Sequence, residues 1–324
     1  WRTVQGGSRA YVEKLIAPFR DRIRTNAPVT AIRRVNGAVE ITTPGAEPEW
    51  FDHVVIGAHA DHALAMLADR SGREAEILGK KAYKSVLEVP GPIDLAIIAI
   101  PAKLVIPTLL ECAQKGIKNV SVITSGFSEV GNVKDEQEIK AIGDKNGISI
   151  LGPNTLGIVY TPSKLNASFG PSKLLPGKIA FISQSGALAI SLMGWTVMEK
   201  IGLAALINLG NKVDVEEKGL IEYFNNDDNV DVIVIYMEGV KNGQEFMTTE
   251  IKKPVVVLKV GRSERGARAA ASHTGSLSGS DKIFDAVFKQ LGILRADTFT
   301  EAFDWSRSLS LPLPTGDEIV IVTN

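Results

Sequence analysis

At 324 residues the chain is long enough to bury several cores and reads as two or more domains. Its 36 Lys plus Arg against 37 Asp plus Glu give a net charge of -1, which excludes the global basic field of a nucleic-acid or acidic-membrane binder. A single cysteine, Cys112, excludes an internal disulfide and fits a reducing compartment; no signal peptide and no apolar run near the roughly 20 residues of a membrane span is visible, so a cytoplasmic location is expected.

The chain starts at Trp1 rather than Met and stops at EIVIVTN, a strand with no helix after it, so it reads as a fragment at both ends. Residues 1–78 differ in character from the rest. GGSRAYVEKLIAPF reads as a Gly-Gly turn into a helix, and Pro28–Asp52 alternates in the manner of a small antiparallel sheet. A strand, FDHVVIGA, and a helix, DHALAMLAD, follow.

Downstream the pattern becomes strand, helix, strand: DLAIIAI, AKLVIPTLLECAQKG, NVSVITSG, DEQEIKAIGDKNG and ISILGPN. Near-continuous apolar strands separated by amphipathic helices predict a parallel sheet covered on both faces. Pro101, Thr124, Ser125, Gly126, Gly152, Pro153 and Asn154 fall at the carboxyl ends of these strands, where doubly wound sheets hold ligands. Ordinary turn chemistry explains any one of them equally well. Residues 155–176, with their Pro, Ser, Lys and Asn, read as a connector.

A second unit opens at Gly177. KIAFISQSGALAISLMGWTVMEKIG is a strand, a Ser-Gln-Ser-Gly turn and a helix; small residues at the turn leave backbone N–H groups open at a helix start, which makes an anion site of Ser183, Gln184, Ser185 and Gly186. Serine is also a common helix cap, so the pattern alone is weak. The turn is not a hydrolase elbow, because Ser183 stands where the first glycine of that motif belongs. LINLGNKVDVEEKGLIEYF repeats strand, turn and helix, and VDVIVIYMEGV places Glu238 at the end of an apolar strand. A carboxylate there can orient an imidazole and stabilise positive charge on it. The helix GQEFMTTEI is short.

KKPVVVLKVG then leads into GRSERGARAAASHTGSLSGS, residues 261–280, which holds His273 among Ala, Ser, Thr and Gly with Arg262, Arg265 and Arg268 nearby in sequence. A histidine on a small-residue loop after a buried strand suits transient covalent chemistry at nitrogen, although a solvated surface histidine has the same composition. The helix DKIFDAVFKQLG, the strand GILRAD and the helix TFTEAFDWSRSL close the unit, and PLPTGDEIVIVTN opens a third domain at residues 313–324.

Two family resemblances sit on these residues. The stretches VQGGSRAYVEKL and DHVVIGAHADHALAMLAD resemble the C-terminal half of flavin-dependent amine-oxidase-like oxidoreductases; the dinucleotide fingerprint such enzymes carry near their start is absent, so FAD is not expected to bind. From about residue 79 the resemblance is to NDP-forming acyl-CoA synthetases, the ADP-forming acetate–CoA ligase group related to succinyl-CoA synthetase. ILGKKAYKSVLEVPGPIDLAIIAIPAK, SQSGAL, LGNKVDV and GRSERGARAAASHTGSLSGSD carry it.

This second resemblance implies an α/β chain: an incomplete Rossmann-like CoA-binding domain with its connector over 79–176, then a flavodoxin-like succinyl-CoA-synthetase-type domain over 177–312. An N-terminal α+β fragment, 1–78, precedes them, so that ILG at Ile77–Gly79 reads as the junction of a fusion or chimera. The family's first CoA-domain strand and glycine turn are missing; VVIGAHADHALAML, with Gly57 at its turn, mimics them. By the resemblance His273 is the phosphocarrier and Glu238 its carboxylate partner. Ser183, Gln184, Ser185, Gly186 and Gly275 bind phosphate, and Pro101, Ser125, Gly126 and Asn154 bind CoA. The implied reaction interconverts acyl-CoA, ADP and phosphate with carboxylate, CoA and ATP. ADP or ATP with Mg would sit on an ATP-grasp beta subunit or domain, and no metal site is assigned to this chain. A flavoprotein fragment and an inactive CoA- or phosphate-binding module stay open as alternatives.

Overall fold

The computed structural model describes residues 16–58, 60–78, 83–170, 174–261, 281–311 and 316. It divides into two compact units, Trp1–Lys84 and Ser85–Asn324.

The first unit contains an antiparallel meander, β1 Ala31–Val35, β2 Ala38–Thr42 and β3 Glu49–Phe51, with Ile32 paired to Ile41 and Glu40 to Trp50. This matches the alternation expected over Pro28–Asp52. Two short helices follow, α1 Ala60–Met66 and α2 Gly72–Leu78. Ser71 and Glu74 form a capping box at the start of α2: Ser71 N–H donates to the Glu74 carboxylate at 2.7 Å and Glu74 N–H to Ser71 Oγ at 3.2 Å. Arg34 ties the sheet to this corner through Asp69 and Glu74, both at 2.8 Å. The strand expected at FDHVVIGA does not form: β3 ends at Phe51, and Val55 is 96% exposed. Among the described residues no strand lies beside it, and an unpaired apolar run gains nothing from extending.

The second unit holds two sheets. In the smaller one, β4 Ala96–Ile98, β5 Asn119–Val122 and β6 Ser149–Leu151 run parallel in that order. They pack on α3 Val105–Lys115 and α4 Val133–Asn146 through a core of Ile98, Leu109, Val120, Val122, Ile139 and Ile150. Helix α3 stops at Gly116, which adopts φ 83° and lets the chain reverse into β5.

The larger sheet is built from β9 Pro176–Ser183, β10 Leu203–Asn208, β11 Val232–Met237, β12 Val255–Lys259 and β13 Leu294–Ala296. These five are mutually parallel in the order β10-β9-β11-β12-β13, the flavodoxin-type winding. Both faces are covered. Helices α6 Glu217–Asn225 and α8 Asp281–Leu291 pack Ile221, Phe224, Phe284 and Phe288 on one face, with Phe246 from the short helix α7 Gly243–Phe246. On the other, α5 Gly186–Met198 and α9 Phe299–Leu309 supply Ala189, Leu192, Met193, Ala302 and Phe303. Such double burial explains why β10 and β12 are apolar at nearly every position.

Residues 155–176 are more than a connector. They form β7 Gly157–Tyr160 and β8 Leu165–Ser168, an antiparallel hairpin that extends the larger sheet past β10, Leu206 pairing with Val159. Gly157 adopts φ 109°, and a Cβ there would run into the Ala167 carbonyl, so the hairpin depends on glycine at that point.

Candidate active site at the switch point of the larger sheet

Among the five parallel strands β9 is first in sequence, β10 lies to one side of it and β11 to the other, so the winding reverses at β9. Ligand crevices of open α/β sheets lie outside the carboxyl ends at this reversal. Ser183 and Tyr236 pair there, next to Met237 and Lys259. Ser183 is buried and closes the turn with its own hydroxyl, which donates to Ser185 O at 2.8 Å and accepts from Ser185 N–H at 3.1 Å. Ser185 caps α5, its Oγ accepting from Leu188 N–H at 3.4 Å. The first turn of this 13-residue helix holds no acidic side chain. Its Gly186 and Ala187 N–H groups therefore stand at the positive end of the helix dipole, an arrangement that can hold an anion.

Gln184 does something else. Its side chain is buried, and Oε1 accepts from Glu238 N–H at 2.7 Å and Gly239 N–H at 3.0 Å, while Nε2 donates to Gly239 O at 2.7 Å and to Glu217 Oε1. All of its hydrogen-bonding capacity on the described residues is directed into the protein, so a phosphate would meet the turn through backbone N–H groups and not through this amide. Glu217, 1% exposed, also accepts from Lys212 Nζ at 3.0 Å, and Lys212 Nζ donates to Gly239 O at 2.9 Å. Lys241 Nζ bonds the Lys212 carbonyl at 2.7 Å; burial holds the Lys241 ammonium below its ordinary pKa. Burial, reinforced by the charge of Glu217, raises the carboxyl of neighbouring Glu216.

Glu238 follows β11 directly and is 8% exposed. Burial and then the Glu238 charge push the phenol of Tyr236 up to about 12. Lys259 ends β12, buried, with its ammonium on the Val260 carbonyl and 4.6 Å from the centre of the Phe284 ring; burial lowers its pKa. The chain then enters the segment that carries His273 and Gly275, which lie outside the described residues, as do Arg262, Arg265 and Arg268.

The carboxyl ends of β4, β5 and β6 gather the other expected site residues. Pro101 and Ser125 are exposed, and Thr124 Oγ1 bridges the two loops by donating to Ile100 O at 2.7 Å. Gly126, at φ 114°, donates its N–H to Glu129, whose carboxylate also accepts from Phe127 N–H at 3.2 Å and Asn211 Nδ2 at 2.6 Å. Burial opposes ionisation of Glu129, but the Gly126 N–H and Asn211 amide outweigh it and hold the carboxyl below its usual range. Asn154 donates N–H to Thr124 O at 2.9 Å and Nδ2 to Asn211 Oδ1 at 3.2 Å.

Asn208 and Asn211 therefore join the two groups of loops. Fully buried Asn208 accepts from Leu156 N–H at 2.6 Å and donates to Ser183 O at 2.9 Å. Asn211 N–H bonds Pro153 O at 2.8 Å and its Nδ2 bonds Glu136 at 2.7 Å. The structure brings Gln184 to Glu238 and Asn154 to the Gly210–Asn211 turn. Gln184's inward role, Lys212, Glu217, Glu129 and Asn211 as a linker were not read from sequence, since the bonds that join them to the site, Gln184 to Glu217 and Glu238 and Asn211 to Glu129, span dozens of residues.

The chain's similarities fit this geometry. Residues 176–309 match the family model described as the succinyl-CoA ligase like flavodoxin domain, and residues 55–161 match that of the CoA binding domain, a match that begins upstream of residue 79. The class is therefore a CoA-binding domain followed by a succinyl-CoA-ligase-type flavodoxin domain. More particularly, the chain is homologous to the alpha subunit of ADP-forming acetate–CoA ligase. It is 58% identical over 262 residues to "Acetate--CoA ligase [ADP-forming] I subunit alpha" of Pyrococcus furiosus, a match spanning 78% of this chain and 57% of that one. With the 4-hydroxybutyrate–CoA ligase [ADP-forming] of Nitrosopumilus maritimus identity is 46%, over 76% of this chain and 37% of the other. In structure it is similar to the dinucleotide-forming acetyl-coenzyme A synthetase 1 of Ca. Korarchaeum cryptofilum in complex with phosphate and ADP, with TM-score 0.71 and 45% identity over 75% of this chain and 54% of that one. The chain thus spans roughly half the length of the alpha-subunit relative and of that structure.

Proposed function

We propose that the chain is the acyl-CoA-handling and phosphoryl-carrying portion of an ADP-forming acyl-CoA ligase. The observation that carries this reading is the meeting of the Ser183–Gly186 turn and Glu238 at the switch point, one strand away from the start of the His273 segment. CoA would lie along Pro101, Ser125, Gly126 and Asn154, with its thioester toward the Ser183–Gly186 turn. A phosphate oxygen held at the Gly186 and Ala187 N–H groups attacks the thioester carbonyl carbon; the C–S bond breaks and CoA leaves as the thiol, giving an acyl phosphate. An imidazole nitrogen of His273 then attacks phosphorus, the bond from phosphorus to the acyl oxygen breaks, and the carboxylate departs. Glu238 supports the positive charge that the ring acquires, and Gly275 with the turn holds the phosphoryl oxygens. ADP takes the phosphoryl group on a nucleotide-binding partner, a beta subunit of ATP-grasp type. Homology to an alpha subunit supports the partner, and the phosphate and ADP of the Korarchaeum complex support the substrates.

The test supplies the chain with acetyl-CoA, ADP, phosphate and a separately produced nucleotide-binding subunit. ATP and free thiol should form in equal amounts, and His273→Ala should abolish the ATP. Thiol release with no ATP in the parent chain would reduce the reading to a thioesterase-like or binding role.

A further inference from the structure

Resting on that reading of the site, we infer that Gln184, backed by the Lys212–Glu217 ion pair, is a positioning residue that sets Glu238 rather than a phosphate ligand. Its amide can lie only one way. Oε1 faces two N–H donors, Glu238 and Gly239, and Nε2 faces two acceptors, Gly239 O and the Glu217 carboxylate; a flipped amide would set donor against donor and oxygen against carboxylate. Glu217 selects that orientation, and Lys212 fixes Glu217 by donating to the same oxygen. Lys212 also reaches Gly239 O, so both backbone polar groups of Gly239, its N–H and its carbonyl, are held.

A Lys–Glu pair only 5% and 1% exposed is a poor stabiliser, because desolvation offsets most of its attraction and apolar side chains would serve as well. What it provides is direction. The result is that the residue between Ser183 and Ser185 fixes the backbone that carries Glu238. The anion turn and the carboxylate are thereby aligned by one side chain, in the way that outer hydrogen bonds orient the groups that touch substrate.

The experiment uses the full 324-residue chain with labelled acetyl phosphate, together with amide hydrogen exchange at residues 232–239. In Gln184→Met the labelling rate at saturating acetyl phosphate should fall roughly 10–100-fold, with the half-saturating concentration within about 2-fold of the parent. Exchange protection at Glu238 and Gly239 should fall at least about 10-fold while Ile233 and Ile235 keep theirs. Combining Gln184→Met with Glu238→Gln should cost no more than Glu238→Gln alone, since both act through one carboxylate. The double variant Lys212→Met with Glu217→Leu, which removes the pair that selects the orientation of the amide without leaving a lone buried charge, should lower the saturating rate by at least about 5-fold with the half-saturating concentration again within about 2-fold of the parent.

A raised half-saturating concentration at unchanged saturating rate would instead make Gln184 a phosphate ligand and overturn the inference, as would unchanged rate and protection. If Gln184→Met loses protection throughout β11, the double variant decides: an unchanged saturating rate with β11 protected overturns the inference. If the parent chain takes no label, the proposed function falls, and protection at Glu238 and Gly239 alone upholds or refutes the positioning.

Discussion

Gly210 adopts φ 60°, and a Cβ at that position would collide with the Pro153 carbonyl oxygen. Gly210→Ala should therefore cost on the order of 2–4 kcal/mol in urea denaturation, well beyond a surface glycine such as Gly131. Lys212→Met leaves Glu217 buried and charged without its cation and should cost about 3–5 kcal/mol, whereas Lys212→Met with Glu217→Leu should cost less than the single change. Glu129 gives a pH signature. Its folded carboxyl titrates below the unfolded one, so its stabilisation is complete above the unfolded value of about 4.3 and is lost as pH falls through the folded value. Urea midpoints should decline with acidification, and Glu129→Gln should be less stable at neutral pH with a shallower decline. Of these residues the sequence made Ser183, Ser185 and Glu238 legible, because cap chemistry and a carboxylate at a strand end are local signals. Gln184 was visible only as a member of the turn. Its amide points to Glu217, 33 residues away, and no spacing rule connects them.

The parallel strands were readable as elements because double burial writes itself as continuous apolar sequence; β9 to β12 stand where the pattern put them. The hairpin β7–β8 was not, since Gly157–Tyr160 and Leu165–Ser168 are only four residues each and lie among Pro, Ser, Lys and Asn. FDHVVIGA failed in the opposite way: its β-branched apolar run suits a strand, but propensity without a neighbouring strand does not make one. Beyond the strand ladders, Asn208 ties β9, β10 and the start of the hairpin together. Asn208→Leu leaves Leu156 N–H without its buried partner, while Ser183 O keeps the Leu209 N–H at 2.9 Å, and should cost about 1–3 kcal/mol, with amide exchange rising at Leu156 ahead of the β11 core.

At the scale of the molecule, two sheets present the carboxyl ends of their strands to loops joined through Asn154, Asn208 and Asn211. That joining brings the proposed CoA loops and the Ser183–Gly186 turn into one frame, and it comes from contacts between residues 25 to 57 positions apart that no local pattern records. The chain has no helix long and apolar enough to cross a membrane among its described residues, and it spans roughly half the length of the alpha-subunit relative it matches. The proposed carriage of a phosphoryl group on His273 is tested by incubating the chain with acetyl phosphate bearing labelled phosphate, beside His273→Ala. Acid-labile, base-stable label on the parent and none on the variant is the predicted result. Equal label on both, or none on a folded parent, would contradict it.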